Sequence, residues 1–246
     1  MRAATTRAER EIRHGRALAA GDTEATWGWA TPAGQRRAAR RAALIADGAK
    51  LGPGVRTVEV GCGTGLFTER FAATGADVTA IDISHDLLAR ARARRLDPVR
   101  VRFMQGRFEE LRRDEPFDAV IGSSVLHHLD LDDALRASFD LLKPGGRFSF
   151  AEPNMLNPQV FLERYASFLP MFSYVSPDET AFVRWTLVRA LTRHGFEKVR
   201  VTPFDWLSPV TPAPLIETVL RVGAIAERVP GVREFAGSLA ITCRRP

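Results

Sequence analysis

Val58-Glu59-Val60-Gly61-Cys62-Gly63-Thr64-Gly65-Leu66-Phe67-Thr68 reads as a buried strand that stops at a glycine-rich loop and re-enters as a helix near Leu66. That layout places a nucleotide-type site at the carboxyl edge of a parallel sheet. Glycines at alternate positions let the chain turn sharply and let a ligand lie against bare backbone, because no Cβ intervenes. The spacing Gly61, Gly63, Gly65 departs from the dinucleotide fingerprint, whose last glycine falls one residue later. Glu59 at the strand end would repel a pyrophosphate and favour a ligand that carries an ammonium group.

A second strand, Ala76-Asp77-Val78-Thr79-Ala80-Ile81-Asp82, ends in an acid 17 residues after Gly65. A carboxylate there can accept both hydroxyls of a ribose. Ribose, a positive charge and no phosphate together describe S-adenosylmethionine. With these residues the chain resembles the class I S-adenosylmethionine-dependent methyltransferases: Glu59 to Gly65 is similar to their first motif, Asp82 to their ribose acid, and Leu142-Lys143-Pro144-Gly145-Gly146 to the turn before their fifth strand. The resemblance covers about residues 50 to 203. A plain doubly wound domain would explain the turns but not the placement of Asp82.

At 246 residues the chain fits one α/β domain with extra helices. Its 45% apolar and 26% charged residues suit a globular protein rather than a disordered one. The net charge of +6 comes almost wholly from arginine, since Lys50, Lys143 and Lys198 are the only lysines. Arg36-Arg37 with Arg40-Arg41, and Arg90, Arg92, Arg94 and Arg95, recur at helical spacing and fit a solvated helix face without a polyanion. Cys62 and Cys243 have no paired-cysteine spacing, so neither a disulfide framework nor a zinc site is supported. No signal-peptide run and no apolar stretch of membrane-spanning length occurs, and the expected compartment is the cytoplasm.

The expected architecture is a Rossmann-like doubly wound sheet of seven strands, mostly parallel with an antiparallel last strand, plus helical cap segments. Strands are expected at 55–60, 77–82, 99–104, 117–123 and 146–151, and helices at 65–74, 84–95, near 108–112 and at 131–142. Residues 1–50 read as an amino-terminal helical cap, with Thr31 capping a helix from about Ala33 to Ala49. Residues 51–246 read as the methyltransferase-like domain, with cap insertions at about 152–175 and 204–236. Trp27 and Trp29 either anchor the cap or close over a ligand. Ser176-Pro177-Asp178-Glu179 has the form of a helix start, with a helix expected to run to about His194. Phe196–Val201 and Gly237–Cys243 supply the last strands, which the resemblance pairs antiparallel. The insertions are rich in apolar residues and serve either as a lid or as added core.

The resemblance implies cofactor contacts residue by residue. Glu59 faces the methionyl ammonium, and Gly61, Cys62, Gly63 and Gly65 form the loop. Asp82 holds the ribose, Ile83 lies against adenine, and Gly106, Arg107 and Phe108 reach the adenine edge. Ser123 offers its carbonyl to the ammonium. The family often has an acid where Arg107 stands, and an arginine cannot accept from the adenine amino group, so Glu109, a backbone carbonyl or water must do so. One of Arg36, Arg37, Arg40 or Arg41 could pair with the methionyl carboxylate. For catalysis, His127 or His128 could accept a proton, and neighbours in sequence point apart, so at most one faces the site. No metal is expected, because His14, His85 and His194 make no ligand spacing with them. Leu126-His127-His128-Leu129 and Ala151-Glu152-Pro153-Asn154 look similar to the family branch of quinone-biosynthesis and natural-product enzymes. That branch implies a small, fairly hydrophobic acceptor methylated on oxygen or carbon. The alternative is a methyltransferase of RNA or other nucleic acid using the arginine surface, for which the chain shows no aromatic-basic stripe. Oligomeric state is not legible.

Overall fold

The computed structural model describes residues 6–111, 115–165 and 180–246. Its centre is a sheet of seven strands: β1 (Arg56–Val60), β2 (Asp77–Asp82), β3 (Val101–Gln105), β4 (Phe117–Ser123), β5 (Leu142–Pro153), β6 (Glu197–Phe204) and β7 (Ser238–Arg244). They lie in the order β3-β2-β1-β4-β5-β7-β6. The pairs from β3 to β5 are parallel, and β7 runs antiparallel to both of its neighbours. The strand order reverses between β1 and β4, and in open α/β sheets ligands bind at that switch point, beyond the carboxyl ends of the strands.

Helices cover both faces: α1 (Arg7–Ala19), α2 (Thr23–Thr26), α3 (Pro32–Ala49), α4 (Leu66–Ala72), α5 (His85–Ala93), α6 (Leu131–Leu141), α7 (Pro158–Tyr165), α8 (Arg184–Arg193) and α9 (Ile216–Ala226). Alternation along β4 divides the core. Val120 joins Val58, Val60, Phe148 and Phe150 against α6 and α8, while Ile121 joins Ala80 and Val78 against α3, α4 and α5. Side-chain caps start the helices where the sequence indicates: Thr31 accepts from the Gly34 N–H, Ser84 from Leu87 and Asp130 from Asp133.

Two expectations change. The capping motif at Ser176 lies outside the described residues, and the helix assigned to it begins at Arg184, with Val183 as its N-cap. Tertiary pairing holds the preceding segment extended: the Phe182 N–H donates to Pro153, the Phe182 carbonyl accepts from Met155, and the Phe182 ring is buried. The fifth strand, expected at 146–151, is extended from Leu142, where a buried leucine already pairs with Phe117, to Pro153. The glycine turn becomes an irregularity inside that strand rather than a stop before it.

Candidate active site

β1 and β2 are hydrogen-bonded neighbours, with Val60 in register with Ile81. Past their ends the Gly61 and Cys62 N–H groups both donate to the Ile81 carbonyl, at 2.9 and 3.1 Å. The glycine loop is thereby fastened beside Asp82. Gly61 has a positive φ of 64°, and a Cβ there would come within 2.3 Å of Val125 Cγ2. A Cβ on Gly63 would lie 3.2 Å from the Trp27 ring, so both positions need glycine for clearance as well as for backbone conformation.

The Asp82 carboxylate is nearly buried and accepts from Gly63 N–H and Ser84 N–H, each at 2.8 Å. Burial pushes its pKa up, against the opposing pull of those two N–H bonds. A carboxylate has about four lone-pair sites, so each oxygen retains capacity for one further donor. Beside it opens a cavity of about 910 Å³, at the upper end of the range of small-molecule sites. On its wall stand Gly61, Cys62, Gly63, Asp82, Ile83, Gly106, Arg107, Phe108, Ser123 and His128. Glu59, Gly65 and His127 are not on it.

The reasons are local. Glu59 points to the sheet face covered by α4, where the Thr68 hydroxyl donates to it at 2.6 Å. Burial pushes its pKa up to about 8, with the nearby Asp82 charge adding to the rise and the Thr68 bond opposing it. His127 turns inward, its Nδ1 2.7 Å from Glu152 Oε2, while Glu152 Oε1 accepts from the N–H groups of Val125 and Leu126. Burial alone would raise the Glu152 pKa, but the His127 contact and the two N–H groups outweigh it and hold the carboxyl below its usual range. This buried knot fixes the loop after β4 and leaves His128 on the cavity side.

The four arginines of α3 separate clearly. Arg36 pairs with Glu217 and Arg40 with Glu227, and neither reaches the cavity wall. Arg37 and Arg41 do reach it. Arg37 is paired with Asp205 at 2.9 Å. Arg41 is 2% exposed and donates only to neutral oxygens, those of Ser124, Ala151 and Ser238. Burial pushes its pKa down to about 10, with the Arg37 charge adding to the effect. Its Nε and the Ser123 hydroxyl have no hydrogen-bond partner among the described residues. A cavity bordered by a guanidinium with no carboxylate bonded to it, a partly satisfied carboxylate and bare glycine backbone fits a ligand with a carboxylate at one end and a ribose further along.

Residues that the sequence did not single out close the cavity. Residues 19–27 are tied down by α5: Arg90 donates to the Ala19 and Gly21 carbonyls, and Arg94 to the Thr64 carbonyl and to Glu24 and Glu69. Cap helix α1 contributes Arg7, Glu11, His14, Gly15 and Leu18 to the wall, a spacing of one helical face. Helix α7 contributes Gln159, Val160, Glu163 and Arg164, whereas its large apolar residues Phe161, Leu162 and Tyr165 are exposed. Along α7, part of the segment read as lid or added core, one apolar and three polar side chains thus face the cavity. No group of metal-binding side chains occurs among the described residues.

Comparisons with known proteins agree with this geometry. The family described as methyltransferase domain matches residues 58–150. Over those residues the chain is similar to class I S-adenosylmethionine-dependent methyltransferases. A ubiquinone biosynthesis O-methyltransferase of Xanthomonas campestris pv. campestris (strain B100) is 43% identical over 98 residues, which span 38% of this chain and 41% of that protein. The corresponding protein of Alkalilimnicola ehrlichii is 43% identical over 113 residues, spanning 44% and 45%. The chain therefore spans less than half the length of these curated relatives. Among solved structures, the [4+2]-cyclase SpnF is 27% identical, with a TM-score of 0.60 and coverage of 89% of this chain and 85% of that one. The N-methyltransferase NodS of Bradyrhizobium japonicum WM9, in complex with S-adenosylhomocysteine, shares the fold at 19% identity, with a TM-score of 0.64 over 96% and 99%. The fold of nearly the whole chain is thus one seen in solved structures. Among the described residues no helix is long and apolar enough to cross a membrane.

Proposed function

We propose that the protein transfers a methyl group from S-adenosylmethionine to an oxygen or carbon of a small acceptor, with residues 1–50 and the segments near 152–175 and 204–236 acting as a cap over a domain formed by the rest. The observation that carries this reading is the Asp82 carboxylate, held by Gly63 and Ser84 at the joined ends of β1 and β2 on a single large cavity. The named relatives act in ubiquinone biosynthesis, which supports a small acceptor over a nucleic acid.

When bound, the cofactor supplies a methyl group on a positively charged sulfur. The chain's own part is to hold, align and take up a proton. Asp82 would hold the ribose hydroxyls with its remaining lone pairs, while the Gly61–Gly63 backbone lies against the ligand. Ile83 and Phe108 would flank the adenine, and Glu109, on the cavity wall beside Arg107, would accept from its amino group in place of the missing family acid. Arg41 is the best partner for the methionyl carboxylate, because its buried charge has no carboxylate of its own, whereas Arg37 has Asp205. Ser123 lies on the wall where the ammonium is expected, whereas Glu59, turned toward Thr68, does not reach it. His128 would accept the acceptor's proton, and His127 would hold the loop. Two buried free thiols, Cys62 and Cys243, support a reducing, cytoplasmic setting.

A cyclisation without methyl transfer is a second reading, favoured by the likeness to SpnF. Incubation with methyl-labelled S-adenosylmethionine and a panel of phenols, enols, amines and RNA separates these readings. Label in an oxygen- or carbon-methylated small molecule is expected. Label confined to RNA or to amines, or no transfer to any acceptor, would overturn the proposal.

A further inference from the structure

An amphipathic helix ordinarily buries its apolar stripe. Helix α1 does so only in part: the side it lays on the cavity sets Arg7, Glu11 and His14 among Ala8, Gly15 and Leu18. Its start is fixed by a capping box between Thr6 and Glu9, and its close approach to α5 is fixed by Gly15, where a Cβ would come within 2.8 Å of the Ser84 hydroxyl oxygen. With the helix so registered, the Arg7 guanidinium donates to the His127 carbonyl at 3.0 Å, and Glu11 Oε2 lies 3.1 Å from His128 Nδ1. Both partners of the Glu11–His128 pair are largely buried, with side chains 14% and 24% exposed. A carboxylate turned inward on a surface helix loses hydration, and the loss is offset where it meets a ring nitrogen able to carry a proton.

We propose that Glu11 is the positioning residue for His128, so that the acceptor-side proton site is completed only when α1 is docked, and that the acceptor is a hydroxyl compound such as a phenol or enol. The assignment rests on the methyl-transfer reading given above. The carboxylate approaches Nδ1 as an ion-pair contact rather than a formed hydrogen bond, and its charge there favours the ring's proton on Nδ1 and leaves the Nε2 lone pair for the acceptor. In the step, the acceptor oxygen gains the methyl carbon as the carbon–sulfur bond breaks, its electron pair remaining on sulfur. The hydroxyl proton passes to His128 Nε2, and the resulting imidazolium lies against the Glu11 carboxylate until the proton leaves to water. An acceptor that is already anionic would have no use for this pair, whereas a hydroxyl requires it.

The test uses the full chain labelled with ¹⁵N-histidine, with the His128 signals assigned by their loss in His128→Asn. In the wild type the neutral ring carries its proton on Nδ1, and Glu11→Gln shifts it toward Nε2, while Glu11→Asp keeps the wild-type form. Glu11→Gln also lowers kcat at least tenfold on the best phenol of the acceptor panel, with KM changed less than threefold, and leaves calorimetric binding of S-adenosylhomocysteine within twofold. A wild-type ring protonated at Nε2, or a tautomer indifferent to Glu11→Gln, would overturn the positioning role. Activity on amines alone would overturn the hydroxyl assignment. Failure of the wild type to bind S-adenosylhomocysteine would count against the cofactor reading, and the ring spectra would still report on Glu11 and His128.

Discussion

The sheet with its loops and the helices that cover it handle buried charge in opposite ways. In the core, Asp82 and Glu152 are each held by two backbone N–H groups, and Glu59 by the Thr68 hydroxyl. At the covering helices side chain meets side chain: Arg36 with Glu217, Arg40 with Glu227 and Arg37 with Asp205 from α3, and Glu11 of α1 with His128. Backbone donors are fixed by the strand and loop geometry, so Asp82 and Glu152 keep two partners each that no side-chain substitution removes. Cap pairs can be re-specified one side chain at a time. The family model matches residues 58–150, and the curated relatives match less than half of this chain.

The largest effect expected from this contrast is at Glu152. Glu152→Ala leaves His127 and the N–H groups of Val125 and Leu126 buried without their acceptor, and should cost about 3–5 kcal/mol in urea unfolding. The same measurement on Arg36→Ala, which breaks an exposed cap pair, should register less than about 1 kcal/mol. Equal losses would erase the distinction between the regions. Next is the pH dependence of Glu59. Its folded pKa of about 8 lies above the ordinary 4.5, so the folded chain keeps a proton that the unfolded chain releases between those values. Stability from this group is therefore full below about pH 4.5 and falls as pH rises to 8, by up to roughly 1.4 kcal/mol per pH unit. Glu59→Gln should flatten that slope, seen as the wild-type-minus-variant difference in unfolding free energy between pH 5 and 8. A difference independent of pH would show that Glu59 is already ionised in the fold.

What the sequence made legible follows the same division. β2 and β4 occupy the expected residues, because alternating apolar runs bounded by turns leave little choice of register. The adjacency of the glycine loop and Asp82 was legible because the strand–loop–helix spacing itself encodes it. The choice of Arg41 and Arg37 over Arg36 and Arg40 was not, since all four lie on one helix and only the positions of Glu217 and Glu227, far along the chain, decide which two are drawn away. Nor was the face of α1, where Arg7, Glu11 and His14 sit in a segment whose polar composition matches any solvated helix. The start of α8 at Arg184 was hidden for a related reason: the pairing of Phe182 with the end of β5 is tertiary and leaves no mark in a local pattern.

The central claim is that an adenosyl ligand sits at the joined ends of β1 and β2 with its sugar held by Asp82. Calorimetric titration of S-adenosylmethionine into the wild type and into Asp82→Ala tests it most directly. Two charge-assisted hydrogen bonds are worth roughly 3 kcal/mol, so saturable binding by the wild type and a loss of about 100-fold in the variant are predicted. Absence of binding by the wild type, or equal affinity in the variant with its fold intact, would contradict the account.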